Sequence, residues 1–417
     1  MARVPNVSFD EYPAQANIVS RRVVVYYDKD KTKFHYGTIV RADRQAPYET
    51  YLTDNYGNAG SLHSLGRVAA RAIGEARQQV ADFLNCKPEN IIFTSGGSEA
   101  NNLAIKGVAP YLKKNGKTGI VTSNVEHDSI YNALREIKGE FHTHFLPVNS
   151  NCCIHLSNLC NVLRENSNTK HPIGLVSIMH TNNITGVSNN VYGLAGVAHN
   201  KGALFHTDCV QAAGYDTLDI NEIDCDFMSL SGHKIYAPKG TGALYVKDRD
   251  KLSPLISGGS AQEFGLRGGT ENVAGIVGFG KACEIAYKNG RQTRDTIGKF
   301  CSTFVANLIY VFEKYGIREL LEFNSIANKI VNFRVSGIDA QTLLLLLDTK
   351  GVCVSAGSAC QSRESKPNKT LLAIGLSDEE ARQSIRVSFS GYNTADEVRM
   401  AAHIIAGCVN SIVGMKD

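Results

Sequence analysis

The chain has 417 residues, with 44 Lys or Arg against 40 Asp or Glu, a formal net charge of +4. That length holds two or three domains at roughly 100–200 residues each, and the near balance of charge excludes a globally basic nucleic-acid binder, so no direct nucleic-acid partner is expected. No charge block, heptad run or low-complexity tract is present, which excludes a mostly disordered or fibrous chain.

Read from the N-terminus, Arg3, Asp10, Glu11, Arg21 and Arg22 interrupt any apolar stretch, so no secretory signal is expected there. Val68–Leu84 then reads as an amphipathic helix, with Ala69, Ala72, Ile73, Ala76, Val80 and Phe83 near helical spacing. Short apolar runs follow at Ile91–Thr94, Gly119–Thr122, Gly174–Met179, Ala203–Thr207, Phe227–Leu230 and Gly242–Val246. Strands apolar throughout, with helical stretches between them, predict a parallel sheet covered on both faces. Beyond about residue 285 the rhythm changes. Asn328–Val335, Val352–Ala356 and Ile385–Ser388 read as strands, and Ala340–Leu347 and Ala395–Val409 as helices. The expected division is a large domain over 45–285, with 1–44 and 286–417 forming a smaller α+β domain. The longest aliphatic run, Leu343–Leu347, falls far short of the about 20 apolar residues of a membrane span, so no membrane partner is expected. The 11 cysteines are odd in number and scattered, which fits free thiols and a cytoplasmic location. Cys152, Cys153 and Cys160 with His155 lack the spacing of a metal motif, and no metal is expected.

In parallel sheets ligands bind beyond the carboxyl ends of the strands. Three groups stand at such ends. Ser95–Asn102 follows Ile91–Thr94 and opens a helix, where free amides and the helix dipole make an anion cradle. Asp208 ends Ala203–Thr207, with Gln211 beyond it. Ser231-Gly232-His233-Lys234 ends Phe227–Leu230, and a partly desolvated lysine there is a Schiff-base nucleophile. Alone, each is as readily a glycine turn, a helix N-cap or a surface lysine. Together, cradle, carboxylate and lysine are what pyridoxal 5'-phosphate requires: a phosphate site, a partner for the ring nitrogen and an amine for the aldehyde.

With Tyr56-Gly57-Asn58, Ser61-Leu62-His63, Asn182-Asn183, Arg267–Asn272, Ser355–Cys360 and Ser384–Ser388, these motifs resemble those of the cysteine desulfurases, in the class V aminotransferase group of fold type I pyridoxal-phosphate enzymes. The resemblance runs from about residue 51 to the end. It implies an α/β fold with a mostly parallel seven-stranded sheet and a smaller α+β domain. It also implies a sulfurtransferase that takes sulfur from L-cysteine onto Cys360 as a persulfide and releases alanine. Lys234 is then the Schiff-base lysine. Asp208 pairs with the ring nitrogen, and Gln211 and Asn183 serve the ring hydroxyl side. His127 stacks on the ring and helps move protons. Gly97, Ser98, Ser231 and His233 hold the phosphate. Thr270 reaches the phosphate of a partner subunit, which makes a homodimer with shared sites. Arg386 binds the substrate carboxylate, and Asn183 lies beside it. A sulfur-acceptor protein, such as an iron–sulfur scaffold, or a tRNA-thiolation relay takes the sulfur onward.

The chain departs from the family's pattern in places. Asn-Ala-Thr-Thr near the N-terminus has no match; counting back from Tyr56 puts Phe34–Thr38 there, with Thr38 the only survivor, so either His35 is a candidate proton-transfer residue or the charged Lys29–Tyr36 is a solvated hairpin far from the site. Ile184 stands where an acidic residue is usual, Ser390-Gly391 where Gly-Arg is usual, and Gln262–Gly265 replaces a more basic stretch. A selenocysteine lyase or another C–S lyase of the same fold is the rival reading, as is a non-catalytic relative kept as an assembly partner; Cys360 separates the desulfurase from a plain lyase.

Overall fold

The computed structural model describes residues 50–259, 261–356 and 367–415; Cys360 and the segment Phe34–Thr38 lie outside the described residues. In chain order the elements are α1 (Thr50–Thr53), α2 (Ser64–Leu84), β1 (Ile91–Thr94), α3 (Gly97–Lys114), β2 (Gly119–Ser123), α4 (Asp128–Glu136), β3 (His142–Leu146), α5 (Leu156–Glu165), β4 (Ile173–Ser177), α6 (Val191–His199), β5 (Leu204–Asp208), α7 (Ile220–Ile223), β6 (Phe227–Ser231), β7 (Gly242–Val246), α8 (Val273–Lys314), β8 (Leu321–Ala327), β9 (Ile330–Val335), α9 (Ala340–Thr349), α10 (Lys369–Ala373), α11 (Asp378–Arg382), β10 (Ser384–Ser388) and α12 (Ala395–Val413).

Seven strands form one sheet in the order β1-β7-β6-β5-β4-β2-β3, and three form a second in the order β10-β9-β8. In the large sheet β3, β2, β4, β5 and β6 run parallel, and β7 is antiparallel to both β6 and β1. Its central strands are buried along their whole length because helices cover both faces. Ile120, Leu175, Phe227 and Leu244 face α3 and α4, where Leu103, Ile105 and Ile130 complete one core. Val121, Val176, Phe205 and Met228 face the opposite way, into a core closed by Ile73, Val80 and Leu84 of α2 and Phe279 of α8. Between them, His206 of β5 bonds Ser177 Oγ of β4 (2.8 Å) and Ser229 Oγ of β6 (3.0 Å). Complete burial pushes this imidazole down to about 3, so it is a neutral stitch across three strands.

The edge strands depart from the apolar rule. β3 carries exposed His142 and half-buried His144, which is why hydrophobicity alone does not reveal it. At the other edge, β1 presents its Phe93 N–H outward, and the Glu263 carboxylate accepts it at 2.7 Å. Glu263 also grips Arg77 of α2 through two bonds, 2.8 and 2.6 Å long, and Arg77 Nη1 donates to Ile91 O at 2.5 Å. To reach inward, Glu263 and Phe264 adopt left-handed backbone (φ 42° and 58°). Such residues persist only where surrounding structure holds them.

The chain leaves the large sheet through α8, which runs unbroken for 42 residues. Phe304, Leu308 and Phe312 on its second half join Val331 and Phe333 of β9, Ile385 of β10, and Val398 and Ile405 of α12 in a third core. Here the structure corrects the sequence reading three times. Val352–Ala356 is not a strand: it makes a single bridge, Ser355 to Arg386, beyond β10. The third strand is β8 instead, hidden because Glu322, Asn324 and Ser325 break its apolar alternation. The expected start of β9 at Asn328 is a turn, with Asn328 at φ 53°. Among the described residues no helix is long and apolar enough to cross a membrane.

The Arg77–Glu263 pair is nearly buried, at 12% and 3% side-chain exposure. Glu263→Ala would strand a guanidinium and the Phe93 amide without their acceptor, so stability should fall by about 3–5 kcal/mol. Urea denaturation measures this, and the double variant with Arg77→Ala should lose less than the sum of the two single losses. A Glu263→Ala midpoint equal to wild type would show that the edge of the sheet does not depend on this clamp.

Candidate active site

Three of the predicted groups meet at one edge of the large sheet. Gly242, the first residue of β7, pairs with Thr94 of β1 on one side and Ser231 of β6 on the other, so the ends of β1 and β6 converge on it. Gly96 follows at φ 149°, a conformation that favours glycine, and caps α3. A Cβ on Gly97 would stand 2.6 Å from Val210 Cγ2, so with any other residue Val210 would have to shift where the turn after Asp208 lies against the turn after Thr94. The amides of Gly97 and Ser98 open the first turn of α3 and have no carbonyl one turn back. Ser231 Oγ flanks the same turn and bonds His233 Nδ1 at 2.9 Å. Glu99 closes the far side: it accepts Ser95 N (2.9 Å) and Arg267 Nε (3.1 Å), which hold its carboxyl below the usual range despite burial.

The second feature is a chain of hydrogen bonds. Asp208 is 6% exposed; its Oδ1 accepts Val210 N at 2.9 Å and its Oδ2 accepts Asn101 Nδ2 at 2.7 Å. The same amide nitrogen donates its other hydrogen to Ser129 Oγ at 2.9 Å. Ser129 Oγ lies 2.8 Å from His127 Nδ1, and Ser129 N donates to that nitrogen at 3.1 Å. A backbone N–H cannot point at a protonated nitrogen, so Nδ1 carries the lone pair and the neutral ring keeps its hydrogen on Nε2. His127 is at once the N-cap of α4 and a ring of fixed tautomer.

Lys234 lies in a one-turn 3-10 segment, Gly232–Ile235, just past β6; Tyr236 ends that turn at φ 70°. Lys234, His233 and Gln211 are half-buried. Of the asparagine pair, Asn182 is wholly buried and structural: its Oδ1 accepts Ile184 N (2.9 Å) and Thr185 N (3.0 Å). Asn183 is half-buried, and its carbonyl accepts Arg386 Nη1 at 2.6 Å, which brings those two residues together. Arg386 itself is 8% exposed, and its Nη2 lies 3.3 Å from Ser355 Oγ. Thr270 is exposed, on the segment that Arg267 ties to Glu99.

Besides Ser129 and Glu99, three further residues of this site carry no role in the sequence reading. Asn101 joins Asp208 to Ser129; its signal was the Asn101-Asn102 pair after the glycine turn. Glu126, beside His127, is 1% exposed and accepts Ser123 Oγ (2.6 Å) and Met179 N (3.0 and 3.1 Å). Burial, with the Asp208 charge nearby, pushes its carboxyl up to about 8 against the pull of those donors. Lys369 donates to Asp128 Oδ1 at 2.7 Å with its ammonium 3.5 Å from the Tyr131 ring centroid. Only the fold could reveal that contact, because 241 residues separate the pair. Among the described residues no group of three or more His, Cys, Asp or Glu is placed to hold a metal ion.

Comparison with known proteins agrees with this geometry. The family model for aminotransferase class-V matches residues 45–400. A cysteine desulfurase IscS of Methanosarcina thermophila is 34% identical over 400 residues, covering 96% of this chain and 95% of its own. Among solved structures, a NifS-like protein superposes with a TM-score of 0.78 at 29% identity, covering 88% of this chain and 94% of its own. SspA in complex with cysteine superposes with a TM-score of 0.69 at 32% identity, covering 83% and 94%. The chain belongs to the aminotransferase class-V family, whose cofactor is pyridoxal 5'-phosphate. The residues present fit that group: an anion cradle that a Cβ at Gly97 would crowd, a buried carboxylate at a strand end and a lysine on the neighbouring strand end.

The raised Glu126 carboxyl sets a pH test. Its folded value, about 8, lies above the ordinary 4.5, so the folded chain holds this proton more tightly than the unfolded one. The resulting stabilisation is fully present below pH 4.5 and is lost as pH rises towards 8. Glu126→Gln removes that dependence, so wild type should lose stability relative to the variant between pH 5 and pH 8. Urea midpoints at both pH values test it; parallel curves would place the Glu126 carboxyl in its ordinary range.

Proposed function

We propose that this class-V enzyme is an L-cysteine desulfurase that draws sulfur from cysteine onto Cys360 as a persulfide and releases alanine. The observation that carries the reading is how the described residues on either side of 357–366 are attached. Upstream, Ser355 exchanges both backbone hydrogen bonds with Arg386, at 3.1 and 2.7 Å. Downstream, Lys369 bonds Asp128, the residue after His127. Both ends of the cysteine-bearing stretch are therefore fastened to proposed active-site elements.

Bound at the cradle, pyridoxal phosphate supplies an electron sink for bonds at the substrate's α-carbon. The chain's own residues do the rest. Gly97, Ser98, Ser231 and His233 take the phosphate, and Lys234 engages the aldehyde. Asp208, oriented by Asn101 and Val210 N, would pair with the ring nitrogen, and Gln211 and Asn183 would serve the ring hydroxyl. His127, its tautomer set by the Ser129 bonds, would stack on the ring and hold or pass a proton at Nε2. Arg386 takes the substrate carboxylate by a bidentate grip. The Cys360 thiolate would attack the substrate sulfur, so that the persulfide S–S bond forms as the Cβ–S bond breaks and the electron pair left on carbon is protonated to give alanine.

We place cofactor binding in 45–285 and the cysteine-bearing segment in 286–417. Exposed Thr270, with exposed Leu52, Tyr56, Leu62, Leu255 and Phe264, supports a homodimer in which Thr270 completes the partner's phosphate site. A sulfur-acceptor protein, an iron–sulfur scaffold among the candidates, would receive the persulfide.

Incubation with L-cysteine and a thiol reductant, with sulfide and alanine both measured, tests the reading; equal release of the two is expected. Cys360→Ser should keep the cofactor's visible absorbance yet lose at least about 100-fold of the sulfide rate, because a hydroxyl is a poor nucleophile toward sulfur. Unchanged alanine and sulfide from that variant would make the protein a lyase instead. Lys234→Ala should abolish the visible absorbance of the Schiff base.

Arg386→Lys should raise the KM for cysteine by about tenfold, since an ammonium cannot reproduce the guanidinium fork. An unaltered KM would place the substrate carboxylate elsewhere.

A further inference from the structure

The loop after Asn182 is held from two sides. Its amides turn inward, Ile184 N and Thr185 N both donating to Asn182 Oδ1. Its carbonyls turn outward, to the small sheet. Four consecutive carbonyls each accept a different side chain: Asn183 O from Arg386 (2.6 Å), Ile184 O from Asn332 (3.3 Å), Thr185 O from Ser325 (2.8 Å) and Gly186 O from Asn328 (2.8 Å).

The donors are not scattered. Arg386 of β10 is the direct cross-strand partner of Asn332 of β9, and Asn332 is the partner of Ser325 of β8. They form one transverse row across the sheet, and the loop lies along that row. The register of β8 shifts between Phe323 and Ser325, a bulge at Asn324 that puts Ser325 on the row. The extra residue is used as well. Asn324 Nδ2 donates to Asn332 Oδ1 (2.8 Å) and Ser384 Oγ (2.9 Å), while its own Oδ1 accepts Arg334 Nη1 (2.8 Å). Asn332, fully buried, is thereby gripped at both ends of its amide. At the far end of the loop Gly186 has φ 76°, and a Cβ there would stand 2.3 Å from Ala327 O, so the loop meets the tip of the β8–β9 hairpin backbone to backbone.

We propose that this row is a positioning device for substrate binding, in which Ser325 and Asn332 set the place of Asn183 relative to Arg386. The inference rests on the reading of Asn183 and Arg386 as substrate-binding residues. Arg386 belongs to the row and Asn183 is the first residue held by it. A displacement of the sheet therefore carries both together and preserves the gap between them. Ser325 and Asn332 act through Asn183 and touch no substrate.

The test uses the cofactor-loaded full chain. Binding of L-cysteine and of L-alanine is read from the change in cofactor absorbance, and sulfide release is measured separately. Ser325→Ala removes one donor at a half-buried hydroxyl. It should weaken binding of both amino acids by about fivefold, the size of one net hydrogen bond. The Kd for pyridoxal phosphate and the thermal midpoint should stay near wild type. Ser325→Thr, which keeps the hydroxyl, should restore binding. In an Asn183→Ala background Ser325→Ala should cost nothing further. Unchanged binding in Ser325→Ala, failure of Ser325→Thr to restore it, or the same fivefold loss with Asn183 already absent would each overturn the proposal. Wild type that binds cysteine without releasing sulfide would overturn the desulfurase reading alone, and the binding ratios would still judge the row.

Discussion

One carboxamide organises the proposed active site. Asp208 stands at the end of β5 with its carboxylate shielded from water, and a buried charge is tolerated only when bonded. Asn101 gives it one amide hydrogen and gives Ser129 the other. Ser129 fixes the ring of His127, so the Asp208 carboxylate and the His127 imidazole are set by a single side chain. Among the described residues Asn101 Oδ1 is buried without a partner, a cost of about 1–3 kcal/mol. Polar networks that leave such a group unsatisfied are uncommon in stable cores, and they mark places where geometry outweighs stability.

The neighbouring acid completes the logic. Glu126 lies deeper than Asp208, and its raised carboxyl is mostly protonated at neutral pH. It therefore adds little second negative charge behind the site. Its bonds to Ser123 and Met179 N instead fasten the strand ends of β2 and β4, from which His127 and the Asn182–Asn183 loop depart. Two carboxyls in one region thus take different parts, one facing the crevice and one bracing the strands behind it.

How much of this was legible follows from what each residue does. Strands buried on both faces announce themselves by continuous apolar runs, so β1, β2 and β4 to β7 were readable, and so were the glycine turn, Asp208 and Lys234 at their ends. Strands with a wet or polar face were not. β3 carries histidines on the edge of the sheet, and β8 carries the polar residues that hold the 183–186 loop. Ser355 was read as part of a strand because valines precede it, yet it forms only one bridge, and that bridge is to Arg386. Asn101 shows in the sequence only as one of a pair after the glycine turn, and Glu126 and Lys369 show no signal, because Asp208, Met179 and Asp128, the partners that give them meaning, are far away in sequence. Cys360 and His35, both read from the sequence, lie outside the described residues.

The departures from the family pattern acquire a physical sense from the same contacts. Ile184 replaces an acidic residue, but its side chain lies in the core beneath the large sheet, 1% exposed. What this position offers the small sheet is its carbonyl, which accepts Asn332 Nδ2, and a carbonyl is supplied by any residue. Ser390-Gly391, in place of Gly-Arg, falls where β10 has ended: Ser390 N donates to Asn393 Oδ1, and a Cβ on Gly391 would meet Thr293 of α8 at 3.1 Å. Phe264, in the less basic stretch, has the guanidinium groups of Arg77 at 5.1 Å and Arg249 at 4.2 Å from its ring centroid, so cations reach that turn from α2 and from the segment after β7. At these positions the altered side chains serve packing or local turns, whereas the groups that could touch a cofactor or a substrate carboxylate keep the residue types their chemistry needs.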